Sequence, residues 1–209
     1  MYEKIFKRVF DCVLSGIAIV VLSPVILITA LLVRIKLGSP IIFKQERPGK
    51  DEKLFRLFKF RSMTDEKDAD GNLLPDEKRL PQFGRILRTT SLDELPELVN
   101  VIRGDMAIVG PRPLLVRYLP YYKPEERIRH SVRPGLTGLA QVNGRNNLGW
   151  DDRIALDIQY VQKITFLGDL KIIMQTIGKV LKRSDIASGE QLIMQDLDKE
   201  RSWMTEGNR

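Results

Sequence analysis

The longest hydrophobic run in the chain lies near its start. No charged residue occurs between Cys12 and Val33, and about 20 apolar residues are enough to cross the hydrocarbon core of a bilayer. Lys and Arg flank both ends of the run, and basic flanks mark the cytoplasmic side of a membrane. Ser23 and Pro24 fall near the middle, where proline predicts a bend. The pattern favours a helix within residues 1–36 that enters the membrane, bends and returns.

Two other interpretations of this run stay open. Membrane helices that contain proline often still cross the bilayer, because Ser side chains and neighbouring groups can satisfy the freed backbone. A long apolar helix can also form the core of a soluble domain. A signal peptide is disfavoured, since the run is longer than a usual signal-peptide core and no small-residue cleavage site follows it.

After residue 36 the long apolar run ends, and shorter patterns of apolar and polar residues follow. Apolar residues 41–43, a Pro-Gly turn and β-prone residues 54–60 predict a β-hairpin. Residues 64–79 are charged and rich in turn formers, which predicts an exposed, mobile loop. Helices are predicted near 83–87 and 94–102, with Gly104 as the C-terminal cap of the second. The motif "MAIVGPRP" predicts a short buried strand that leads into a rigid loop.

The second half of the chain is predicted to be mainly helical. Residues 132–145 are glycine-rich and predict an irregular segment. Amphipathic patterns predict helices at about 150–163 and 168–183, and the second has a basic side that suits a membrane surface as well as the domain core. The expected fold is a mostly helical α/β protein with interfacial helices. It comprises a membrane helix at 1–36, a globular domain at 37–187 and a peripheral tail at 188–209.

Charge and composition narrow the class of partner. The 209 residues carry a formal net charge of +7, which indicates an anionic partner such as acidic lipid or a phosphorylated substrate. Nucleic acid is disfavoured, because aromatic residues do not alternate with Lys and Arg and no zinc or helix-turn-helix pattern is present. The single Cys12 excludes an internal disulfide and, with the single His130, disfavours a zinc site. A metal here is expected to be Mg²⁺, held by oxygen ligands.

The stretch "SLDELPELVNVIRGDM" holds the strongest candidates for chemistry. Pro96 is tolerated only in the first turn of a helix, so Asp93 and Glu94 are expected at a helix N-terminus, where the helix dipole stabilises anions. Acidic residues in this place are often simple caps, and Ser91 with Glu94 fits the capping-box pattern. Alternatively, Asp93 is a nucleophile that attacks a phosphate, and Glu94 helps it to hold Mg²⁺ against a diphosphate.

Basic residues elsewhere in the chain could complete a phosphate site. Lys59 and Arg61 are expected on one face of a strand, and Arg112 lies between two prolines that restrict its backbone. Arg133 and Arg145 flank the glycine-rich segment, where backbone amides could approach a nucleotide. Each of these side chains taken singly is more typical of a solvated surface charge. The full candidate set for phosphate or substrate binding is Lys59, Arg61, Arg88, Arg112, Arg133, Gln141, Arg145 and Asp157.

The chain contains five motifs in the order "QERPG", "KFRSM", "SLDELPELVNVIRGDMAIVGPRP", "RPGLTGLAQVNGR" and "LDIQYV". In these it resembles, from about residue 1 to 185, the bacterial sugar transferase family of monotopic phosphoglycosyl transferases. The resemblance implies that residues 37–187 are catalytic and transfer a phospho-sugar from a UDP-sugar to undecaprenyl phosphate, with release of UMP. It also implies that Asp93 is a covalent nucleophile, that Glu94 is its Mg²⁺-linked partner, and that the membrane helix is re-entrant with a break at Ser23-Pro24.

The resemblance extends to the cellular setting. It implies a monotopic protein on the cytoplasmic face of the bacterial inner membrane, with both termini cytoplasmic, at the first membrane step of glycoconjugate assembly. Within the family the chain most resembles members that open bacterial protein N-glycosylation. That implies UDP-N,N′-diacetylbacillosamine as donor, and later glycosyltransferases of the same pathway as partners. The competing class is a non-catalytic membrane-anchored scaffold, in which the acidic pair is only a helix cap.

Overall fold

The structure is a computed structural model that describes residues 2–144, 148–182 and 195–206. The described chain is mostly helical with two small sheets, as the sequence predicts. The helices are α1 (Lys7–Leu37), α2 (Asp76–Arg79), α3 (Gln82–Thr89), α4 (Glu97–Arg103), α5 (Leu139–Asn143), α6 (Trp150–Gln162), α7 (Phe166–Lys182), α8 (Leu197–Glu200) and α9 (Trp203–Glu206). The strands are β1 (Ile42–Pro48), β2 (Leu54–Phe60), β3 (Ala107–Val109) and β4 (Gly135–Thr137).

Helix α1 is the one described helix that is long and apolar enough to cross a membrane. Its 31 residues, at about 1.5 Å each, make it roughly 46 Å long. Pro24 has no N–H to donate to the Val20 carbonyl oxygen, and the Ser23 hydroxyl donates to that oxygen instead, at 2.8 Å. The helix continues through this point without interruption. The bend at Ser23-Pro24 and the re-entry therefore stay predictions.

One face of α1 packs against the rest of the protein along both halves of the helix. Lys7, Asp11 and Ser15 are buried in the first half, and Thr29 and Val33 in the second. Within each half these positions recur at four-residue intervals, which is the spacing of one helix face. The opposite face exposes apolar side chains from end to end: Val9, Val13, Ile17, Val20, Val21, Leu27, Ile28, Leu31 and Ile35. An exposed apolar face of this length indicates association with a membrane.

Buried polar contacts attach the first turns of α1 to the domain. Lys7 Nζ lies 2.6 Å from Asp169 Oδ2 on α7, and the Tyr2 hydroxyl donates to the same oxygen at 2.7 Å. The Arg8 guanidinium donates to the carbonyl oxygens of Val101 and Ile102 in the last turn of α4. A buried charge is costly unless it is paired, so these contacts hold the start of α1 in one position.

Strands β1 and β2 form the predicted antiparallel hairpin, and residues 42–48 pair with residues 54–60. Asn100, which is fully buried in α4, joins this hairpin to the helix. Its side-chain oxygen accepts from the Phe58 N–H at 3.0 Å, and its side-chain nitrogen donates to the Arg56 carbonyl oxygen at 2.8 Å. The end of β2, which carries Lys59, is thereby fixed against the start of α4.

Strands β3 and β4 form a short parallel pair in the core. The buried strand predicted in "MAIVGPRP" is confirmed as β3. The prediction that residues 132–145 are irregular is wrong, because β4 and α5 lie within them. A Cβ atom at Gly135 would lie 2.1 Å from the backbone nitrogen of Gly110, so the strands approach this closely only with glycine. The strand spans only three residues and begins with this glycine, so it lacks the length and alternation by which strands are usually recognised in sequence.

The two long helices predicted near the C-terminus are confirmed as α6 and α7. Helix α7 packs on the domain core through the buried Ile172, whereas Leu167 and Met174 are exposed. Contact of this exposed side with a membrane stays a prediction. At the start of α7, the Phe166 ring meets the Phe10 ring of α1 edge to face. The exposed apolar side chains of α7 therefore begin close to the first turns of α1.

Residues 195–206 pack against the domain. Leu197 is fully buried, and the Trp150 indole nitrogen donates to the Gln195 carbonyl oxygen at 2.8 Å. Arg201 Nη1 lies 2.6 Å from Glu126 Oε2 in a buried ion pair. Part of the stretch expected to be a peripheral tail is thus held by specific contacts.

Candidate active site

An open cavity of about 730 Å³ lies between the hairpin, loop 64–79 and the turn that precedes α4. Its volume falls within the range of roughly 300–1,000 Å³ that is typical of small-molecule sites. The charged side chains in its wall are Arg47, Lys59, Arg61, Asp65, Asp76, Arg79, Arg88, Asp93, Glu94, Arg112 and Arg153. Because basic residues predominate, the cavity suits a ligand that carries several negative charges.

Loop 64–79 forms one side of this cavity and is largely exposed, as predicted, but its last four residues form the short helix α2 and are not a loop. Its two ends are joined, because the Arg79 Nε–H donates to the Thr64 carbonyl oxygen and the Thr64 N–H donates to the Arg79 carbonyl oxygen, both at 2.9 Å. The exposed Leu73 and Asp76 face the cavity from within the loop. Its mobility stays a prediction.

Asp93 and Glu94 lie in a 3₁₀ turn immediately before α4. The sequence predicts a helix that starts near Ser91 to Asp93, but the α-helix begins only at Glu97, after Pro96. Ser91 has a left-handed backbone (φ 55°) and its side chain makes no cap hydrogen bond, so the predicted capping box is not formed. A left-handed conformation is uncommon outside glycine and tends to occur at functional sites. The Glu94 carboxylate contacts cations instead of capping the helix.

Two cations from distant parts of the chain meet at one oxygen of Glu94. Glu94 Oε1 lies 2.8 Å from Lys59 Nζ at the end of β2 and 2.8 Å from Arg112 Nη2 in the loop after β3. Burial raises the pKa of Glu94, but the charges of Arg112 and Lys59 outweigh burial and hold this pKa well below its usual range. Glu94 is therefore ionised at neutral pH.

Asp93 has a different environment from its neighbour. The residue is only 7% exposed. Burial raises the pKa of Asp93 to about 6, and the negative charge of Glu94 adds to the increase, while Lys59, Arg88 and Arg112 oppose it. At pH 7 the carboxylate is mostly ionised yet poorly solvated, and both conditions favour nucleophilic attack.

A third carboxyl group, that of Glu97, adjoins the acidic pair and is not among the residues predicted from sequence. Glu97 is 3% exposed, and its Oε1 lies 3.1 Å from Lys59 Nζ. Burial and the negative charge of Glu94 raise the pKa of Glu97. The only sequence signal is its spacing, since a residue three positions after Glu94 can face the same side of a helical turn.

Most of the predicted substrate-binding residues come together in the cavity wall. Arg61 donates to the carbonyl oxygens of Ser39 at 2.7 Å and Met63 at 2.8 Å, so it also braces the protein's own backbone. Arg88 Nε donates to the Ser62 hydroxyl at 3.0 Å. The predicted residues that line the cavity are Lys59, Arg61, Arg88, Arg112 and Gln141.

Other predicted residues lie elsewhere. Arg133 Nε donates to a carbonyl oxygen at the C-terminal end of α4, at 2.9 Å. Asp157 is buried and pairs with Arg129 at 2.7 Å, and Arg129 in turn donates to the Arg112 carbonyl oxygen at 2.8 Å. Asp157 therefore does not line the cavity, but it supports the backbone of Arg112 through Arg129, and its charge acts on Arg153 of the wall. Arg145 lies outside the described residues.

Three arginines of the cavity wall are missing from the predicted set: Arg47, Arg79 and Arg153. Arg47 donates to Gln45 Oε1 at 2.6 Å, and Arg153 lies over the Trp150 ring, 4.8 Å from its centre. Burial, with the charge of Arg112, lowers the pKa of Arg47 to about 10 and also lowers the pKa of Arg153. Buried cations near other cations gain from an anionic ligand. Arg47 lies in the motif "QERPG", which is a usable sequence signal, whereas nothing in the sequence singles out Arg153.

The donor set of the acidic pair is suited to Mg²⁺. Within the described residues, no group of three or more Asp, Glu, His or Cys side chains forms a metal site. Mg²⁺ usually binds one or two protein carboxylates together with substrate phosphates and water. Asp93 and Glu94 are adjacent carboxyl groups in the cavity wall, so they fit a Mg²⁺ ion shared with a diphosphate.

A basic cavity with an acidic pair, in a chain with one helix long and apolar enough to cross a membrane, suits a membrane-associated protein that binds anionic substrates. The family model for bacterial sugar transferases matches residues 2–183, and the chain belongs to this family. Family membership, predicted from the five motifs, is thereby confirmed.

Relatives in the family have named activities. The protein named "Uncharacterized sugar transferase EpsL" from Bacillus subtilis is 52% identical over 85% of this chain and 88% of its own length. A UDP-glucose:undecaprenyl-phosphate glucose-1-phosphate transferase from Caulobacter vibrioides is 39% identical over 84% of this chain and 69% of its own. A UDP-galactose-lipid carrier transferase from Erwinia amylovora is 38% identical over 87% of this chain and 41% of its own. Two of these three relatives therefore have names that state a transferase acting on a UDP-sugar.

Replacing Asp93 by Asn is expected to stabilise the protein in a pH-dependent way. Because the folded-state pKa of Asp93 lies above the ordinary value of 3.8, ionising it costs folding free energy. This cost is absent below about pH 4, grows as the pH rises to about 6 and stays constant above that. Asp93→Asn removes the cost, by at most about 3 kcal/mol at pH 7.5.

Thermal unfolding in detergent at pH 4 and pH 7.5 checks this expectation. At pH 7.5 the Tm of Asp93→Asn is expected to be higher than that of the wild type. At pH 4 the two Tm values are expected to be equal. Asp70→Asn, on the exposed turn of loop 64–79, serves as the control and should leave Tm unchanged at both. An equal gain for Asp93→Asn at both pH values would contradict the buried, high-pKa state of Asp93.

Proposed function

We propose that this protein transfers a sugar 1-phosphate from a UDP-sugar to undecaprenyl phosphate and releases UMP. The observation that carries the proposal is the placement of Asp93 beside the ionised Glu94 in a basic cavity of about 730 Å³. The names of the Caulobacter and Erwinia relatives support a reaction of this type. The excess of positive charge in the wall suits the diphosphate of a UDP-sugar.

In the first step, a carboxylate oxygen of Asp93 attacks the β-phosphorus of the UDP-sugar. The bond between this phosphorus and the bridging oxygen breaks, and UMP leaves with that oxygen. The sugar phosphate is then joined to Asp93 as an acyl phosphate. Phosphoryl transfer depends mainly on alignment and on stabilising negative charge, which Arg112 and the other arginines of the wall are placed to provide.

In the second step, a phosphate oxygen of undecaprenyl phosphate attacks the phosphorus of this intermediate. The bond between phosphorus and the Asp93 oxygen breaks, which restores the carboxylate. The product is the sugar attached to undecaprenyl diphosphate. A single nucleophile thus serves a water-soluble donor and a lipid acceptor in turn.

Asp93 and Glu94 are the residues that would hold Mg²⁺ together with the diphosphate. The bound ion would supply charge neutralisation at the phosphates. A carboxylate ligand must be deprotonated, and the contacts of Lys59 and Arg112 keep Glu94 in that state.

We further propose that α1 is re-entrant at the cytoplasmic face of the bacterial inner membrane and bends at Ser23-Pro24. Two observations support this topology. Both halves of α1 pack against the same domain, which favours both ends on one side of the bilayer, and both flanks are basic. The apolar surface of α1 and α7 then rests on lipid and keeps the cavity close to the phosphate of the acceptor.

For the sugar itself, the motif resemblance supports UDP-N,N′-diacetylbacillosamine. The reaction is then the first membrane step of N-linked glycoprotein assembly, and glycosyltransferases of the same pathway use its product. The names of the Caulobacter and Erwinia relatives state UDP-glucose and UDP-galactose for those proteins. A panel that contains all three nucleotides separates these donors.

Asp93→Asn is expected to abolish UMP release, because an amide does not attack phosphorus as a carboxylate does. UMP is measured with purified protein, Mg²⁺, undecaprenyl phosphate and each UDP-sugar of the panel. The control Asp70→Asn should keep the wild-type rate. Normal turnover by Asp93→Asn would show that the covalent step is wrong. A wild-type protein that released no UMP from any donor would instead be a non-catalytic scaffold.

A re-entrant α1 predicts that both termini face the cytoplasm. Reporter fusions at residue 1 and residue 209 that are active only on one side of the inner membrane check this topology in cells. Both fusions should report the cytoplasm. A periplasmic N-terminus with a cytoplasmic C-terminus would mean that α1 crosses the bilayer.

A further inference from the structure

Lys59 is held by two carboxyl groups at once. Its Nζ lies 2.8 Å from Glu94 Oε1 and 3.1 Å from Glu97 Oε1. Glu94 already accepts from Arg112 at the same oxygen, so its charge does not depend on Lys59 alone. Glu97, by contrast, is nearly fully buried and has Lys59 as its close cation. The contact between Lys59 and Glu97 is therefore not needed to keep Glu94 ionised. Its main effect is to fix the position of the Lys59 ammonium.

We propose that Glu97 is a positioning residue, which holds the Lys59 ammonium against Glu94 and away from the carboxylate of Asp93. The inference rests on the proposed function, since it assigns Asp93 the role of nucleophile. Glu97 does not touch the reacting atoms in this scheme. It acts through Lys59.

The mobility of lysine makes such a restraint necessary. The ammonium sits at the end of a flexible four-carbon stem and can reach several acceptors in one site. Asp93 lies in the same cavity wall as Lys59. An ion pair between the two would stabilise the Asp93 carboxylate in the resting protein and make it a weaker nucleophile. Glu97, as a second acceptor, fixes the ammonium in a position where it does not pair with Asp93. The Asp93 carboxylate is then available to attack the substrate.

The fold fixes both ends of this restraint. Glu97 is the first residue of α4, and Lys59 lies near the end of β2. Asn100 joins the same two elements through its hydrogen bonds to Phe58 and Arg56. Because both backbones are held, the distance between Glu97 and Lys59 is set by the fold and not by the side chains alone.

The test is the rate of the first half-reaction, measured as the burst of UMP released without lipid acceptor. Glu97→Ala is expected to slow this burst about tenfold or more, because small displacements in an active site cost up to about a hundredfold, while the KM for the UDP-sugar changes less than about twofold. Glu97→Gln keeps an oxygen acceptor for Lys59 and should restore most of the rate. If Glu97→Ala does not fold, as judged by thermal unfolding, Glu97→Asp takes its place, because the shorter side chain moves the carboxylate away from the position that Lys59 occupies.

A double-mutant cycle shows whether Glu97 acts through Lys59. In a Lys59→Met background the loss of Glu97 is expected to have no further effect on the burst rate, because the group that it positions is gone. An unchanged burst in Glu97→Ala, or the same loss with and without Lys59, would overturn the inference. Absence of any burst in the wild-type protein would instead overturn the proposed function.

Discussion

The site depends on the contact of Glu94 with Lys59 and Arg112. Buried carboxylates next to each other are unfavourable unless cations offset them, and here the cations come from two distant segments. Lys59 is delivered by the hairpin and Arg112 by the loop after β3. The carbonyl of Arg112 is held in turn by Arg129, which pairs with Asp157. The hairpin, the turn before α4 and the β3 loop must therefore be assembled before the acidic pair is stable.

The second constraint is the packing of α1 against the domain. Lys7 and Asp169 form a buried pair at the start of the helix, and Val33 is fully buried near its end. The outward face of the same helix is apolar throughout. In the proposed topology, one helix contacts both the lipid and the domain that contains the cavity, so the packing of this helix would set the distance of the cavity from the membrane surface. A lipid acceptor with its phosphate at the bilayer surface fits this arrangement.

Much of the fold could be predicted from local patterns. The apolar run of α1, the hairpin and the periodic helices α6 and α7 have signals contained in short windows of sequence. Strand β4 could not, because it spans only three residues and begins with the glycine that lets it approach Gly110. The acidic pair and most of its basic neighbours were found from motifs. Glu97 and Arg153 were missed. Arg133 was included in the predicted substrate-binding set, although it lies outside the cavity. Both errors arise because only tertiary contacts decide which charged side chains share a cavity.

The most direct test of the central claim is a search for a sugar phosphate attached to the protein. Purified wild-type protein is mixed with Mg²⁺ and its UDP-sugar without lipid acceptor, and intact mass and peptide maps are recorded after rapid quenching. The account predicts a mass gain of one sugar phosphate, located on Asp93, that disappears when undecaprenyl phosphate is added. UMP formation that strictly requires the acceptor, with no adduct at any time, would contradict a nucleophilic Asp93.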